Sequence, residues 1–175
     1  MSSLNFRGLA RVALVAGLSL GLSACFRPLH GPTASGQSLQ TMLASIDVPE
    51  IDWPEAYARF GHYLRSELIY ALNGSGQDLP KRYVLNLSYT QSISTPVVDS
   101  VSGRALSATL TGSLTYTLKE GPTVITTGVA TESASYDRFE QRFATVRAGR
   151  DAEIRLAKEL AEQVKTRLQA ELSRR

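Results

Sequence analysis

The sequence predicts an α+β domain, a two-layer α/β sandwich in which a mostly antiparallel four-stranded sheet carries two amphipathic helices on one face. Three observations carry that expectation. Residues 106–118 alternate apolar and hydroxyl-bearing side chains with a period of two, the mark of a strand with one buried face. Tyr57, Phe60, Leu64, Leu68 and Leu72 recur at three- and four-residue steps and make the apolar stripe of one helix. Phe143, Val146, Ile154, Leu160, Val164, Leu168 and Leu172 mark a second, longer helix that runs almost to the end.

The elements follow in order. Ile46, Val48 and Ile51 around Pro49 predict a short first strand, with Pro49 tolerated only at an edge or an end because it lacks an N–H for the ladder. Pro54 suits the first turn of the helix that follows, and Asn73-Gly74 closes it. Tyr83, Leu85, Leu87 and Tyr89 alternate with Val84, Asn86, Ser88 and Thr90 in a second strand. Asp99 to Arg104, with Ser102-Gly103, form a turn before the alternating 106–118 stretch. Lys119-Glu120-Gly121-Pro122 then turns the chain back into a last strand from Thr123 to about Tyr136. On the outer face of the final helix, Asp151 with Arg155 and Lys158 with Glu162 have the spacing of helical ion pairs. Two helices cover one face of such a sheet and leave the other open.

That open face is short of charge. Between Tyr83 and Tyr136 the only charged residues are Asp99, Arg104, Lys119, Glu120 and Glu132, most of them at turns. Exposed sheets and their edges normally carry Lys or Glu against unwanted pairing. Here Thr109, Thr111, Ser113, Thr115 and Thr117 offer a hydroxyl row suited to hydrogen bonding inside another protein. A solvated antiparallel sheet also carries Thr on its wet face, and that alternative stands beside the first.

The amino terminus reads as an export signal. Arg7 and Arg11 precede an apolar run from Val12 to Leu22, too short to span a bilayer, which needs about 20 residues. The run ends in Leu22-Ser23-Ala24-Cys25, which resembles the bacterial lipobox, whose Cys takes a diacylglycerol before cleavage. An incidental Cys after a plain signal is the alternative. The expected organisation is a signal peptide over 1–24, a lipidated tether rich in Pro and Gly over 25–44, and a single domain over 45–175. Two or three acyl chains on Cys25 would anchor the chain to a membrane without a spanning helix. Phe26 stands where an Asp would be the usual inner-membrane retention signal of enteric bacteria, which points by resemblance to the outer membrane.

Composition argues against catalysis. The chain has 43% hydrophobic and 20% charged residues, one Cys and two His, so it has the means for one core but not for a disulfide framework or a Cys-based zinc site. No catalytic residue, metal site or cofactor is expected. The net charge is +3, and removing Arg7 and Arg11 leaves 17 basic against 16 acidic residues, so no nucleic-acid partner is expected. His62, between Phe60 and Leu64, reads as a half-buried packing histidine, and Trp53 as an anchor for the first helix. Asn73-Gly74-Ser75-Gly76 lacks the Lys-Ser or Lys-Thr of a phosphate-binding loop, and no Gly-x-Ser-x-Gly elbow is present.

Taken with the lipobox, Phe26-Arg27-Pro28-Leu29-His30-Gly31 and the order of elements, the chain resembles the LPS-assembly lipoprotein family, LptE. That family's segment after the Cys is usually Gly-Phe-Arg-Pro-Leu-Tyr. Here the Gly is missing and His30 replaces the aromatic. Ser135-Tyr136-Asp137, Phe143-Ala144, Arg150-Asp151-Ala152, Leu160-Ala161 and Arg167-Leu168 extend the resemblance over nearly all of residues 22–172. It implies a non-enzymatic outer-membrane lipoprotein on the periplasmic side. Such a protein sits in the lumen of the barrel LptD, helps it fold and plugs it while lipopolysaccharide passes to the outer leaflet. The hydroxyl row from Thr109 to Thr117 would then face the barrel wall. The resemblance also implies lipopolysaccharide contact through basic residues near the strand turn and the start of the last helix. In those regions this chain has Arg104, Arg142, Arg147 and Arg150, which a solvated helix face would also carry. The competing reading is an auxiliary lipoprotein of a lipid-transporting ABC system. A cell-wall hydrolase would need two carboxylates flanking a bond, and the acidic residues show no converging pair.

Overall fold

The computed structural model describes residues 38–50, 53–74, 76 and 79–174. The expected signal peptide, the acylated Cys25, the Phe26 to Gly31 segment with His30, and most of the tether lie outside these residues.

Among the described residues seven elements follow one another: α1 (Leu39–Ala44), β1 (Ile46–Asp47), α2 (Glu55–Leu72), β2 (Tyr83–Ser94), β3 (Ser107–Glu120), β4 (Thr123–Asp137) and α3 (Arg142–Leu172). The strands form one sheet in chain order, antiparallel except for the parallel pair of β1 with β2. This is the α+β, mostly antiparallel four-stranded fold that the sequence predicts, with a third, short helix added.

That helix lies within the stretch expected to be tether. Leu39, Met42 and Leu43 have i, i+3, i+4 spacing and are all buried, so residues expected in the tether pack with the core. Six residues are too few to hold a helix by propensity alone. Lys81 Nζ donates to the Ala44 carbonyl at 2.9 Å, and Ser45 Oγ donates to Met42 O at 2.7 Å, so the last turn's free carbonyls are satisfied. β1 stops after two residues, just before Val48 and Pro49, and Arg65 Nε donates to the Val48 carbonyl at 3.1 Å.

Alternation in β3 sorts the two faces. Ala108, Leu110, Leu114, Tyr116 and Leu118 are buried against the helices, together with Tyr83, Leu85 and Tyr89 of β2 and Ala130 and Ala134 of β4. The strand begins at Ser107, so Leu106, expected within it, is exposed. On α2, Phe60, Leu64, Leu68 and Leu72 are buried as their spacing requires, and Tyr57 and Trp53 pack at the margin. Tyr89 gathers these rings, stacked on Phe60 at 4.2 Å and edge-on to Tyr57 and Trp53. Trp53 also covers Gly61, where any side chain would collide with its indole.

In α3 the buried stripe is Ala152, Leu156, Ala157, Leu160, Ala161, Val164, Leu168 and Leu172. Phe143, Val146 and Ile154 were expected on that stripe but are exposed. The first two turns precede the level at which Gly149 meets the Tyr136 ring near the end of β4, so no sheet lies beneath Phe143 and Val146. The Asp151 and Arg155 pair forms at 2.9 Å, whereas Glu162 bonds Lys165 at 3.0 Å instead of Lys158.

α3 also covers part of the β4 edge of the sheet. Along β4, the carbonyl of Ser135 accepts from Arg155 Nη2 at 3.0 Å, that of Thr131 from Gln163 Nε2 at 3.2 Å, and that of Val129 from Arg167 Nη1. Gln163 Nε2 also reaches Glu132, a charge in the middle of β4, at 2.7 Å. Where its acceptors are taken, this edge is a poor template for another strand.

Candidate functional site

Two surfaces stand out, the uncovered sheet face and one end of the sandwich. On the face, register places side chains in rows across β2, β3 and β4: Ser94, Thr109, Ser135; Ser92, Thr111, Ser133; Thr90, Ser113, Thr131; Ser88, Thr115, Val129; and Asn86, Thr117, Thr127. Thirteen of these fifteen residues are Ser or Thr, and none is charged. Charge returns only in the next row, where Lys119 stands between Val84 and Val124 at the hairpin end. The hydroxyls pair across strands at two points, Thr109 with Ser135 at 2.8 Å and Thr117 with Thr127 at 3.3 Å. All five hydroxyl residues singled out on β3 therefore share this face, in its central column. The sequence reading missed that β2 and β4 continue it, although their own alternation carries the signal.

The end of the sandwich is built where β2 ends, β3 begins, β4 ends and α3 begins. The loop between β2 and β3 is a small hydrogen-bonded hairpin. Val98 bridges Ala105, Asp99 N donates to Arg104 O at 2.8 Å, and Gly103 takes the positive φ of 67° that lets its N–H bond Asp99 O. The Asp99 carboxylate accepts from Ser102 N at 2.7 Å and Val101 N at 2.9 Å. These amides, with Arg104 in addition, hold it below the usual carboxylate range. Val101 is thereby presented at the hairpin tip, 96% exposed.

Against this hairpin stands the connection from β4 to α3. Arg138 N donates to Leu106 O at 2.8 Å, and Thr145 Oγ1 both accepts from Phe139 N and donates to Phe139 O. Arg104, Ala105, Arg138, Phe139, Glu140, Arg142, Thr145 and Val146 line a cleft of about 390 Å³. Arg104 Nη1 meets Glu140 Oε1 there at 3.0 Å. α3 starts with Arg142, has no acid in its first turn and makes no side-chain cap through Gln141, so its amides and dipole add to the positive potential. Of the four predicted arginines, Arg104 and Arg142 meet in the cleft. Arg147 and Arg150 lie exposed further along α3 and do not line it. Arg138, which the sequence reading passed over, does, and its place directly after the last strand was the available signal.

Guanidinium groups bind phosphate through paired N–H donors, and exposed Val97, Val98, Leu106 and Phe143 set apolar surface at the same end. The combination suits a phosphorylated amphiphile. Among the described residues no cluster of His, Cys, Asp and Glu could hold a metal, and no helix is long and apolar enough to cross a membrane. His62 is exposed, its ring 6.2 Å from that of Tyr63, which corrects the half-buried packing role expected for it.

The fold is shared with known structures. A candidate lipoprotein from Caulobacter crescentus CB15 superposes with a TM-score of 0.62 at 24% identity, over 78% of this chain and 97% of that one. A minor lipoprotein from Acinetobacter baumannii gives 0.52 at 15% identity, over 71% and 88%. No curated protein matches the chain by sequence. The model of the lipopolysaccharide-assembly family LptE matches residues 43–168, from within α1 to near the end of α3. By that match the chain belongs to the LptE family of lipopolysaccharide-assembly proteins.

Proposed function

We propose that this lipopolysaccharide-assembly protein is an outer-membrane lipoprotein, acylated at Cys25, that seats its sheet face against the lumen wall of the barrel LptD. There it assists folding of the barrel and plugs it. The observation that carries the reading is the five-row hydroxyl face. The face lacks charge across five rows, and Ser and Thr can enter an interface with modest desolvation and find hydrogen bonds on an irregular wall. The role is non-catalytic: the protein contributes shape, hydrogen-bonding surface and positive potential. Arg104 and Arg142, with Arg138 beside them, contact the phosphates of passing lipopolysaccharide, and Arg147 and Arg150 add to the field along α3.

Affinity capture of the full chain from detergent-extracted membranes tests this. A barrel of several hundred residues should co-purify in stoichiometric amount, and the mature chain should carry the mass of acyl groups on Cys25. Capture of an ABC transporter assembly without a barrel would replace this reading with the auxiliary-lipoprotein one.

A further inference from the structure

We propose that Glu140 is a built-in competitor for the phosphate site, a carboxylate held on Arg104 that an incoming phosphate must displace. The inference rests on the reading of the cleft as a phosphate site. Glu140 is the one acid among the residues lining the cleft, whose basic members are Arg104, Arg138 and Arg142, and it bonds Arg104. Its hold on Arg104 is a single 3.0 Å bond, and its side chain is 89% exposed. Arg59 and Glu153 show the opposite case in the same molecule. There Nε and Nη2 both bond the carboxylate, at 2.8 and 2.9 Å, and the Glu153 side chain is largely buried.

A carboxylate that uses one arm of a guanidinium fork, in open solvent, contributes little and leaves readily. A phosphate can take two arms at once and carries more charge, so it wins the exchange. The loop need not move for this, because Phe139 is pinned to Thr145 on both its N–H and its C=O, leaving only the Glu140 side chain to swing away. The consequence is a threshold. Singly charged, monodentate anions must compete with an anion already in place, and multiply phosphorylated lipid does so at a small loss of affinity.

The test is binding of fluorescent lipopolysaccharide to the full lipidated chain in detergent at low salt. Glu140→Gln should tighten binding about two- to fivefold, the size of one exposed ion pair. Arg104→Gln should weaken it, and in the Arg104→Gln background Glu140→Gln should give no gain. Glu171→Gln, at the far end of α3, controls for net charge. The competition is overturned if Arg104→Gln weakens binding while Glu140→Gln leaves it unchanged, or if Glu171→Gln gains as much. Unchanged binding by Arg104→Gln sinks the phosphate-site reading itself, and the competition with it.

Discussion

Tyr116 on β3 lies over Gly128, its register partner on β4, so closely that a Cβ on Gly128 would meet the Tyr116 hydroxyl oxygen at 2.5 Å. The device repeats one strand away, where a Cβ on Gly112 would meet Tyr89 at 2.8 Å. In each case a glycine in the core-facing row leaves space that a ring on the neighbouring strand fills, which recovers packing a strand glycine would otherwise lack.

Gly128→Ala should therefore displace the buried Tyr116 ring and cost about 1–3 kcal/mol, the range for forcing an extra carbon into a packed core. Melting temperature should fall by about 3–10 °C. Thr127→Ala, one residue away on the open face, should change it by no more than about 2 °C. Equal melting temperatures for the two variants would show that the ring has room to move.

Exposure of His62 gives a second contrast on α2. His62→Ala should lie within about 0.5 kcal/mol of the parent, as surface substitutions do. Phe60→Ala, two residues earlier and stacked on Tyr89, should cost about 3–5 kcal/mol. Denaturant titration separates them, and a large loss for His62→Ala would return that ring to the core.

Legibility followed the periods. β3 announced itself because it is the central strand, with one face on helices, so its core row is Ala, Leu, Gly and Tyr while the other is almost all Ser and Thr. α1 did not, because two turns give no period to detect and its stability comes from packing and from Lys81. The extent of α3 was readable but its buried face was not. Large residues drew attention to Phe143, Val146 and Ile154, while close helix packing selected Ala152, Ala157 and Ala161. The arginines show the same limit. Nearness in the chain grouped Arg142, Arg147 and Arg150, yet a helix turns about 100° per residue, and only the tertiary meeting of two loops decides that Arg104, Arg138 and Arg142 share a cleft.

The Asp99 hairpin should respond to acid. Its carboxyl is held below the ordinary value by the amides of Ser102 and Val101, so the ionised form is favoured in the folded loop. The contribution is present above the unfolded pKa, about 3.9, and is lost as pH falls through the depressed folded value. In an NMR pH titration, the Val101 and Ser102 amide shifts should move together with a midpoint below the usual Asp range. A midpoint at or above that range would show that these amides do not hold the carboxylate in solution.

The open face supplies the sharpest test, because the free domain and the complex respond to it differently. Thr111 stands between Ser92 and Ser133, and Thr115 between Ser88 and Val129, all on the side away from the helices. In the free domain a Lys at 111 or a Glu at 115 can extend into water, so Thr111→Lys and Thr115→Glu should each cost no more than about 1 kcal/mol of stability. Against a barrel wall the same charges would be stripped of water with no partner built to receive them, at a cost of several kcal/mol. A loss of about 3 kcal/mol is a fall in affinity of more than a hundredfold. Melting curves and barrel capture, measured on the same preparations, should show near-parental stability together with loss of the complex. If both variants melt like the parent, retain the barrel and support growth, the hydroxyl face is a solvated one, and the contact must be sought at the end of the sandwich, where Arg104 and Val101 project.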